Sequence, residues 1–320
     1  MFNEPAPDRQ ILARAAAATQ AGHMLDSDTE RRRWRLRSME NAVERLYGHH
    51  DPAASDSHDG YLNFGLWEDG IADYVGAAEN LVVRMGDLLE LGPGSRLLDA
   101  AAGRGTQDFA LLRRFGPLEI DAVDVTWRHV EAARSRARSF PGPGTVRFHH
   151  ASATRLPFGD RRFTHALCLE AAHHFDTREQ FFAEAYRVLA PGGRLATADF
   201  ALVRPLGHGW RRTLFDGVCA IWSVPSANAD TAASYADKLA RIGFRDVRID
   251  VVGAQTFPGY WREQRRAERR REVLRIRGRL GAALGTAMNY GLFKLYDLGC
   301  VEYVLVSARK PGDGSSEHTG

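Results

Sequence analysis

The segment LCLEAAHHF, residues 167–175, places a carboxylate and two imidazoles directly after an apolar run. Glu170 stands where this run leaves a predicted strand, and His173 and His174 follow it closely. A carboxylate beside an apolar pocket loses hydration energy unless it is paired or takes part in chemistry. Glu170 is therefore a candidate acid–base group. The structural alternative is a salt bridge to one of the arginines, or a hydrogen bond that fixes a loop.

A glycine-bearing turn follows a second apolar run, LLDAAAGRG, in which Asp99 precedes Gly103 and Gly105. Glycines allow the backbone to approach a ligand closely, and the helix that follows presents its free amides. One predicted strand later, Asp124 stands about 20 residues beyond the turn, where an acidic side chain can accept hydrogen bonds from ribose hydroxyls. The three-glycine turn typical of NAD sites is absent, which disfavours NAD. A tight strand-to-helix turn without a ligand is the structural alternative.

These residues sit in a region, from residue 72 to residue 202, where predicted strands alternate with predicted helices. Such alternation is typical of a parallel sheet with helices on both faces, and ligands bind such sheets at the carboxyl ends of the strands. We therefore predict an α/β fold with a doubly wound, mostly parallel sheet. Asp99, Asp124 and Glu170 should meet at one edge of it.

The pattern changes outside this region and predicts a segmented chain. Trp-, Gly- and Pro-bearing sequence interrupts the alternation once, and an arginine-rich helical stretch interrupts it again before a final strand that alternates like an edge strand. The predicted segments are a helical arm (1–60), an α/β core (61–202), a cap insertion (203–232), more core (233–258), an arginine-rich helical insertion (259–298), the last core strand (299–310) and a disordered tail (311–320).

Composition excludes several classes of protein. The chain has 320 residues, 44% of them hydrophobic, and 43 Lys+Arg against 40 Asp+Glu give a formal net charge of only +3, which does not indicate a nucleic-acid partner. Its three cysteines lie far apart, so neither a disulfide framework nor a zinc site is predicted. The sequence has no signal-peptide pattern and no membrane-spanning run, so we expect a cytoplasmic protein.

Together, the turn and the acidic residue after it resemble the S-adenosylmethionine site of class I methyltransferases. The resemblance extends over most of residues 61–310 and includes the segments ASATRLPFGDRRF, AYRVLAPGGRL and LARIGFRDVRI. It implies that S-adenosylmethionine is the cofactor. The implied cofactor-binding residues are Asp99, Gly103, Gly105 and Gln107 at the methionine end, Asp124 at the ribose, and Val125, Trp127, Ser152 and Ala153 around the adenine. Ser152 departs from the family, which commonly has Asp there, so the adenine contact is expected to be weaker or to come from the backbone of Ala153.

The loop YLNFGLW, residues 61–67, is similar to the segment that closes over the cofactor in methyltransferases of small molecules. The resemblance makes Tyr61, Asn63 and Trp67 candidates for lining the substrate pocket. Anchoring of the N-terminal arm is the structural alternative for all three.

The Glu-Ala-x-x-His pattern formed by Glu170, Ala171 and His174 resembles the matching strand end of sterol C-methyltransferases. Methylation of an alkene carbon produces a carbocation, from which a base must then remove a proton. A carboxylate can both stabilise the cation and accept the proton. The resemblance therefore implies that Glu170 is the catalytic base and that His174 assists it.

The arginine-rich insertion suggests an anionic substrate. Residues 261–279 contain nine arginines and three glutamates, and guanidinium groups suit diphosphate oxygens. Aromatic side chains nearby fit an isoprenoid chain. This combination resembles the bacterial geranyl diphosphate C-methyltransferases, most nearly the type that forms 6-methylgeranyl diphosphate. The candidate substrate-binding residues are Tyr61, Asn63, Trp67, His173, Trp210, Trp222, Tyr260, Arg128, Arg266 and Arg270. The resemblance implies Mg2+ with the diphosphate, but no carboxylate cluster identifies its ligands.

Three alternatives stay open at this point. An O- or N-methyltransferase of a polyketide or alkaloid would use His173 or His174 as its base. An RNA-associated protein would use the arginine helix against phosphates, although the sequence contains no RNA-binding module. A solvated helix or a contact between subunits of a homo-oligomer would explain the arginines without a substrate.

Overall fold

A computed structural model describes residues 58–313 together with residues 40, 42 and 44. Most of the predicted arm, 1–60, and the predicted tail from residue 314 onward therefore lie outside the described residues.

Seven strands form one sheet in the order β3-β2-β1-β4-β5-β7-β6. The first five strands pair in parallel, whereas β7 runs antiparallel to both of its neighbours. This arrangement confirms the predicted doubly wound, mostly parallel sheet. The strands are β1 (Arg96–Ala100), β2 (Glu119–Asp124), β3 (Thr145–His150), β4 (Phe163–Leu169), β5 (Leu189–Leu202), β6 (Arg245–Val251) and β7 (Val301–Arg309).

Helices cover the sheet and connect its strands. They are α1 (Tyr74–Leu89), α2 (Thr106–Phe115), α3 (Trp127–Ala137), α4 (Arg178–Val188), α5 (Trp210–Ile221), α6 (Ala232–Ile242), α7 (Gly253–Gln264) and α8 (Ala267–Asp297). Helix α1 illustrates why these segments form: the Asp73 carboxylate accepts a hydrogen bond from the Gly76 amide and caps the first turn. Its apolar face buries Leu81, Val82 and Met85 completely, and each such side chain contributes about 1.5–3 kcal/mol to folding.

The final strand does not lie where its alternation suggested. We expected an edge strand, but β7 lies between β5 and β6, and β6 forms the edge. Residues 303–306 of β7 are buried on both faces of the sheet, whereas five of the seven residues of β6 are exposed. The expectation was wrong because an alternating sequence does not require an exposed position. Strands on both sides of β7, and helices on both faces of the sheet, cover its polar and apolar residues alike.

The insertions form a helical layer next to the sheet. Helix α8 packs against α7 and α5, and Gly278 divides it with a left-handed φ of 68°. The part before Gly278 carries the arginine cluster, and the part after it buries Leu292 and Leu295. No helix among the described residues is long and apolar enough to cross a membrane.

Candidate active site

A cavity lies at the carboxyl ends of β1, β2 and β4, and we call it the strand-end cavity. The position agrees with the general rule that open α/β sheets bind ligands outside the carboxyl ends of their strands. The predicted site residues that line it are Tyr61, Asn63, Gly103, Gln107, Asp124, Val125, Ser152, Ala153, Glu170 and His174.

Asp124 joins the two loops that border this cavity. Its Oδ2 accepts a hydrogen bond from the Gly103 amide at 2.9 Å, and its Oδ1 accepts one from the Thr126 amide at 2.7 Å. Gly103 and Gly105 both have positive φ, and a Cβ on Gly105 would lie 2.5 Å from the Phe148 ring. Only glycine fits such a turn, so this part of the sequence pattern has a structural cause.

Asp99 lies beneath the cavity rather than on its surface. Gln107, which does line the cavity, donates a hydrogen bond to Asp99 Oδ2 at 2.6 Å. Burial raises the pKa of Asp99 to about 6, and the nearby charge of Asp124 acts in the same direction. Asp99 therefore orients Gln107 and does not itself face the cavity.

Gly105 and two other candidates also lie outside the cavity lining. Trp127 packs edge-on against His150 with ring centroids 5.3 Å apart, and Arg128 is exposed on α3. Ser152 does line the cavity, but its hydroxyl lies 3.0 Å from that of Thr154 and accepts the Thr154 amide hydrogen at 3.2 Å. The Ser152 side chain therefore shapes its own loop.

Glu170 is the first residue after β4 and has a left-handed φ of 54°. Its Oε1 accepts hydrogen bonds from the Phe64 amide at 2.8 Å and from the Tyr303 hydroxyl at 2.5 Å. Burial raises the pKa of Glu170 to about 8 in spite of these two hydrogen bonds. Its carboxylate forms no ion pair with any described residue, so the structure offers the loop hydrogen bond and not the salt bridge considered above.

The two adjacent histidines have different surroundings. Burial and the neighbouring His173 lower the pKa of His174 to about 3, which makes His174 a weak base. His173 Nδ1 lies 2.8 Å from Asp199 Oδ1. Although burial opposes its ionisation, the Arg178 guanidinium and the His173 ring hold the pKa of Asp199 at about 2. Since Asp199 is an acceptor, this hydrogen-bond network assigns the proton to Nδ1 and leaves Nε2, which has no partner among the described residues, as an acceptor.

A second cavity of 880 Å³ borders the first, and we call it the arginine cavity. Tyr61, Leu62, Arg104 and Glu170 line both cavities. Its aromatic side chains are Tyr61, Phe64, Tyr74, Phe200, Trp222, Tyr260, Trp261 and Tyr290, and its arginines are Arg104, Arg265, Arg269, Arg270, Arg271 and Arg277.

The arginine cavity is apolar near Glu170 and cationic at its rim. The Phe64 ring lies 4.0 Å from Tyr260 and 5.4 Å from Phe200, centroid to centroid. Arg270 and Arg271 are exposed and form no ion pair with a described residue, in contrast to Arg269, which pairs with Glu272. Their charges are therefore available to an anion.

A smaller apolar pocket lies behind the arginine cavity, and we call it the inner pocket. His173, Phe200 and Trp222 line both of them and so form the boundary. Val218 and Leu292 are among the apolar side chains on the far side.

Three further candidates lie outside both cavities. Trp67 packs beneath Gly259, and its indole donates a hydrogen bond to the Phe64 carbonyl at 3.0 Å, which anchors the loop. Trp210 is 63% exposed on an outer groove beside α5. Arg266 donates a hydrogen bond to the Ala72 carbonyl and pairs with Glu263.

Metal ligands remain unidentified. Within the part of the chain that the structure describes, no group of three or more His, Cys, Asp or Glu side chains could hold a metal ion.

Sequence reasoning missed the residues that hold the acid–base groups from a distance. Tyr303 lies 133 residues from Glu170 in an alternating strand that gives no local signal. Asp199 had a signal: it is a lone carboxylate in the apolar run LATADFAL of β5. Such a residue demands a buried partner.

Comparison with known proteins gives matches in both sequence and fold. Residues 97–193 match the family model of a methyltransferase domain. The erythromycin 3''-O-methyltransferase of Saccharopolyspora erythraea is 30% identical over 260 residues, which cover 79% of this chain and 84% of that protein. The 27-O-demethylrifamycin SV methyltransferase of Amycolatopsis mediterranei is 30% identical over 257 residues, covering 78% and 90%.

Among solved structures, the geranyl diphosphate C-methyltransferase from Streptomyces coelicolor A3(2) has a similar fold. Its complex with Mg2+, geranyl diphosphate and S-adenosyl-L-homocysteine matches with a TM-score of 0.65 at 19% identity, covering 86% of this chain and 98% of that chain. At that identity the likeness concerns the fold alone.

Proposed function

We propose that this chain, which belongs to the S-adenosylmethionine-dependent methyltransferases, methylates an alkene carbon of a prenyl diphosphate. C6 of geranyl diphosphate is the predicted position. The observation that carries the proposal is the placement of Glu170. Its carboxylate is half-buried without a cationic partner among the described residues, and the residue borders both the strand-end cavity and the aromatic end of the arginine cavity.

The residues of the strand-end cavity fit the cofactor. Gly103 gives a close approach to the backbone, Asp124 lies at the end of β2, and the buried hydroxyl of Tyr61 has no hydrogen-bond partner among the described residues. When bound, S-adenosylmethionine supplies an electrophilic methyl group. The chain would hold it through the Gly103 turn, Gln107 and Asp124, and Glu170 would lie at the cavity's border with the substrate.

The proposed reaction transfers a methyl group to the alkene and then removes a proton. The alkene π electrons form a bond to the methyl carbon as the methyl–sulfur bond breaks, and the neighbouring carbon becomes cationic. Loss of a proton from an adjacent carbon to Glu170 then restores a double bond. The carboxylate charge and the faces of Phe64, Phe200 and Tyr260 would stabilise the cation before that transfer.

The rim arginines support a diphosphate rather than a neutral lipid. Arg270 and Arg271 are unpaired among the described residues, and guanidinium groups bind phosphate oxygens with two hydrogen bonds each. The resemblance to geranyl diphosphate C-methyltransferases implies Mg2+ with the diphosphate, and no step is assigned to it.

Product analysis tests this proposal. The protein would be incubated with methyl-labelled S-adenosylmethionine and either geranyl diphosphate or geraniol, and NMR would locate the label. We expect a new carbon–methyl bond from the diphosphate, little product from geraniol, and a large loss in Glu170→Gln. Label on an oxygen, or no reaction with any prenyl diphosphate, would contradict the proposal.

O-methylation is the second candidate, and His173 favours it. Its Nδ1 pairs with the ionised Asp199, its Nε2 is left as an acceptor, and the residue borders the arginine cavity, which is the arrangement of a general base. The two sequence relatives named above are also O-methyltransferases or act on an O-demethyl compound by name. Under this reading His173→Ala abolishes transfer to a hydroxyl substrate, while Glu170→Gln retains most of it.

A further inference from the structure

The two carboxylate oxygens of Glu170 differ in their hydrogen bonds. Both hydrogen bonds, from the Phe64 amide and the Tyr303 hydroxyl, end on Oε1. Oε2 accepts no hydrogen bond from any described residue. The left-handed backbone of Glu170, whose amide donates to the Ala198 carbonyl at 2.8 Å, fixes the direction from which the side chain leaves the sheet.

Tyr303 is held in place by burial, strand pairing and ring packing. It is fully buried on β7, which pairs with strands on both sides, and Phe200 packs against its ring with centroids 5.4 Å apart. Burial and the neighbouring Glu170 raise the pKa of Tyr303 well above its ordinary value. The phenol therefore stays protonated and remains a donor throughout any practical assay.

We propose that Tyr303 is a positioning residue that favours the ionised form of Glu170 and, by occupying Oε1, leaves Oε2 to accept the substrate proton. The inference rests on the proposed role of Glu170 as the base. A donor that is hydrogen-bonded to a carboxylate stabilises its charged form, so Tyr303 opposes the effect of burial. A donor attached to a rigid strand can do this without reorganising during the reaction.

Other titratable groups around Glu170 do not replace Tyr303. Asp199 on β5 raises the pKa of Glu170, and Tyr260 on α7 has a raised pKa of its own, mainly because of burial. His173 and His174 follow Glu170 in the chain, and Arg104 lines both cavities with it. None of these side chains donates a hydrogen bond to Glu170 in the described structure.

Infrared titration of Tyr303→Phe tests the inference without depending on turnover. The protonated carboxyl band of Glu170 would be assigned by its absence in Glu170→Gln. We expect this titration to move upward by about one to two pH units in Tyr303→Phe, the shift expected when one hydrogen bond to a charged group is lost. The acidic limb of kcat/KM should move by the same amount, with the affinity for S-adenosylmethionine unchanged.

Tyr235→Phe is the matched control. Tyr235 is also a fully buried tyrosine, but its hydroxyl lies 2.7 Å from that of Thr197 and 3.4 Å from Asp199 Oδ2, and it does not reach Glu170. Asp199 keeps its charge in this variant because its ion-pair partners are closer than this weak contact. This variant loses a buried hydroxyl and should leave the Glu170 titration where it is. Tyr303→3-fluorotyrosine supplies a second variant of opposite sign, because a more acidic phenol is a stronger donor and should move the titration downward.

The outcomes separate the inference from the proposed function. An unchanged Glu170 titration in Tyr303→Phe, or an equal shift in Tyr235→Phe, overturns the role of Tyr303. A shifted titration with an unshifted rate profile supports the role of Tyr303 in ionisation, while it contradicts Glu170 as the base.

Discussion

At the scale of single residues, Glu170 imposes two costs on the fold. A non-glycine residue with a left-handed backbone costs on the order of 1–3 kcal/mol, and the half-buried carboxylate has no cation among the described residues to offset its lost hydration. The Phe64 amide and the Tyr303 hydroxyl offset only part of these costs, since the pKa of Glu170 stays near 8. Strain that persists at one side chain between two cavities is typical of a functional group.

The first prediction is that Glu170→Gln loses activity without losing stability. Turnover should fall by ~10²- to 10⁴-fold, the usual contribution of a general base. Because the folded pKa is raised from 4.5 to about 8, this carboxyl stabilises the fold fully below about pH 4.5 and loses that contribution as the pH rises toward 8. Thermal unfolding should therefore favour Glu170→Gln increasingly between about pH 5 and pH 9. A variant that melts earlier at every pH would indicate a structural role instead.

The second prediction concerns the cofactor and Asp124. Replacement by Ala removes the acceptor proposed for the ribose and also frees the Gly103 and Thr126 amides. Affinity for S-adenosylmethionine should fall by about 1.5–3 kcal/mol, measured by calorimetry. Asp124→Asn retains one acceptor oxygen and should lose less. Equal affinity in wild type and Asp124→Ala would remove Asp124 from the binding site.

At the scale of secondary-structure elements, helix α8 is divided into two parts with different structural roles. The part before Gly278 carries the exposed arginines, whereas the part after it packs on α5 and receives the Trp222 indole hydrogen bond at the Met288 carbonyl. The same helix therefore builds both the cationic rim and the wall of the apolar cavity.

The third prediction tests the rim. The double variant Arg270→Ala, Arg271→Ala should raise KM for a prenyl diphosphate at least tenfold, because each lost contact to a charged group is worth about 1.5–3 kcal/mol. Arg275→Ala is the matched control, since Arg275 is exposed on the same helix but does not line the cavity. Steady-state kinetics would decide, and equal effects of both variants would assign the arginines to general surface charge.

The fourth prediction concerns chain length. Trp222 separates the arginine cavity from the inner pocket, so Trp222→Ala should join them and admit added methylene groups. We expect kcat/KM for the fifteen-carbon diphosphate to rise relative to that for the ten-carbon diphosphate, by about tenfold. Trp222→Phe should show a smaller change in the same direction. An unchanged ratio would mean that Trp222 does not limit the chain length of the substrate.

The sequence predicts elements better than it predicts the partners of a site. Glycine turns, strand-end carboxylates and alternating helices follow from local rules, so the sheet and the positions of Gly103, Asp124 and Glu170 could be foreseen. The position of β7 between two strands could not, because alternation does not report how many neighbours a strand has. Tyr303 lies next to Glu170, and Asp199 lies next to His173, because the sheet brings together residues from different strands.

At the scale of the whole molecule, the sheet and the insertions contribute different functions. The strand-end cavity is built from the core strands and the loops after them, whereas α7 and α8 supply most of the arginine cavity. Two O-methyltransferase-related sequences share 30% identity over more than three quarters of this chain. Under the proposed function, the core would bind the cofactor, and α7 and α8 would bind the acceptor.

Among the described residues, the arginine rim concentrates positive charge at the mouth of one cavity. Six arginines line one cavity, while the formal charge of the whole chain is only +3. An approaching polyanion would be guided to that mouth before any contact forms, which accelerates the encounter and orients it headgroup first. Salt at physiological strength screens such guidance beyond ~8 Å. Association rates measured by stopped flow should therefore fall steeply as the ionic strength rises. Single-turnover rates measured from the preformed complex should stay constant. The rate of this enzyme in a cell would then depend on the ionic strength around it.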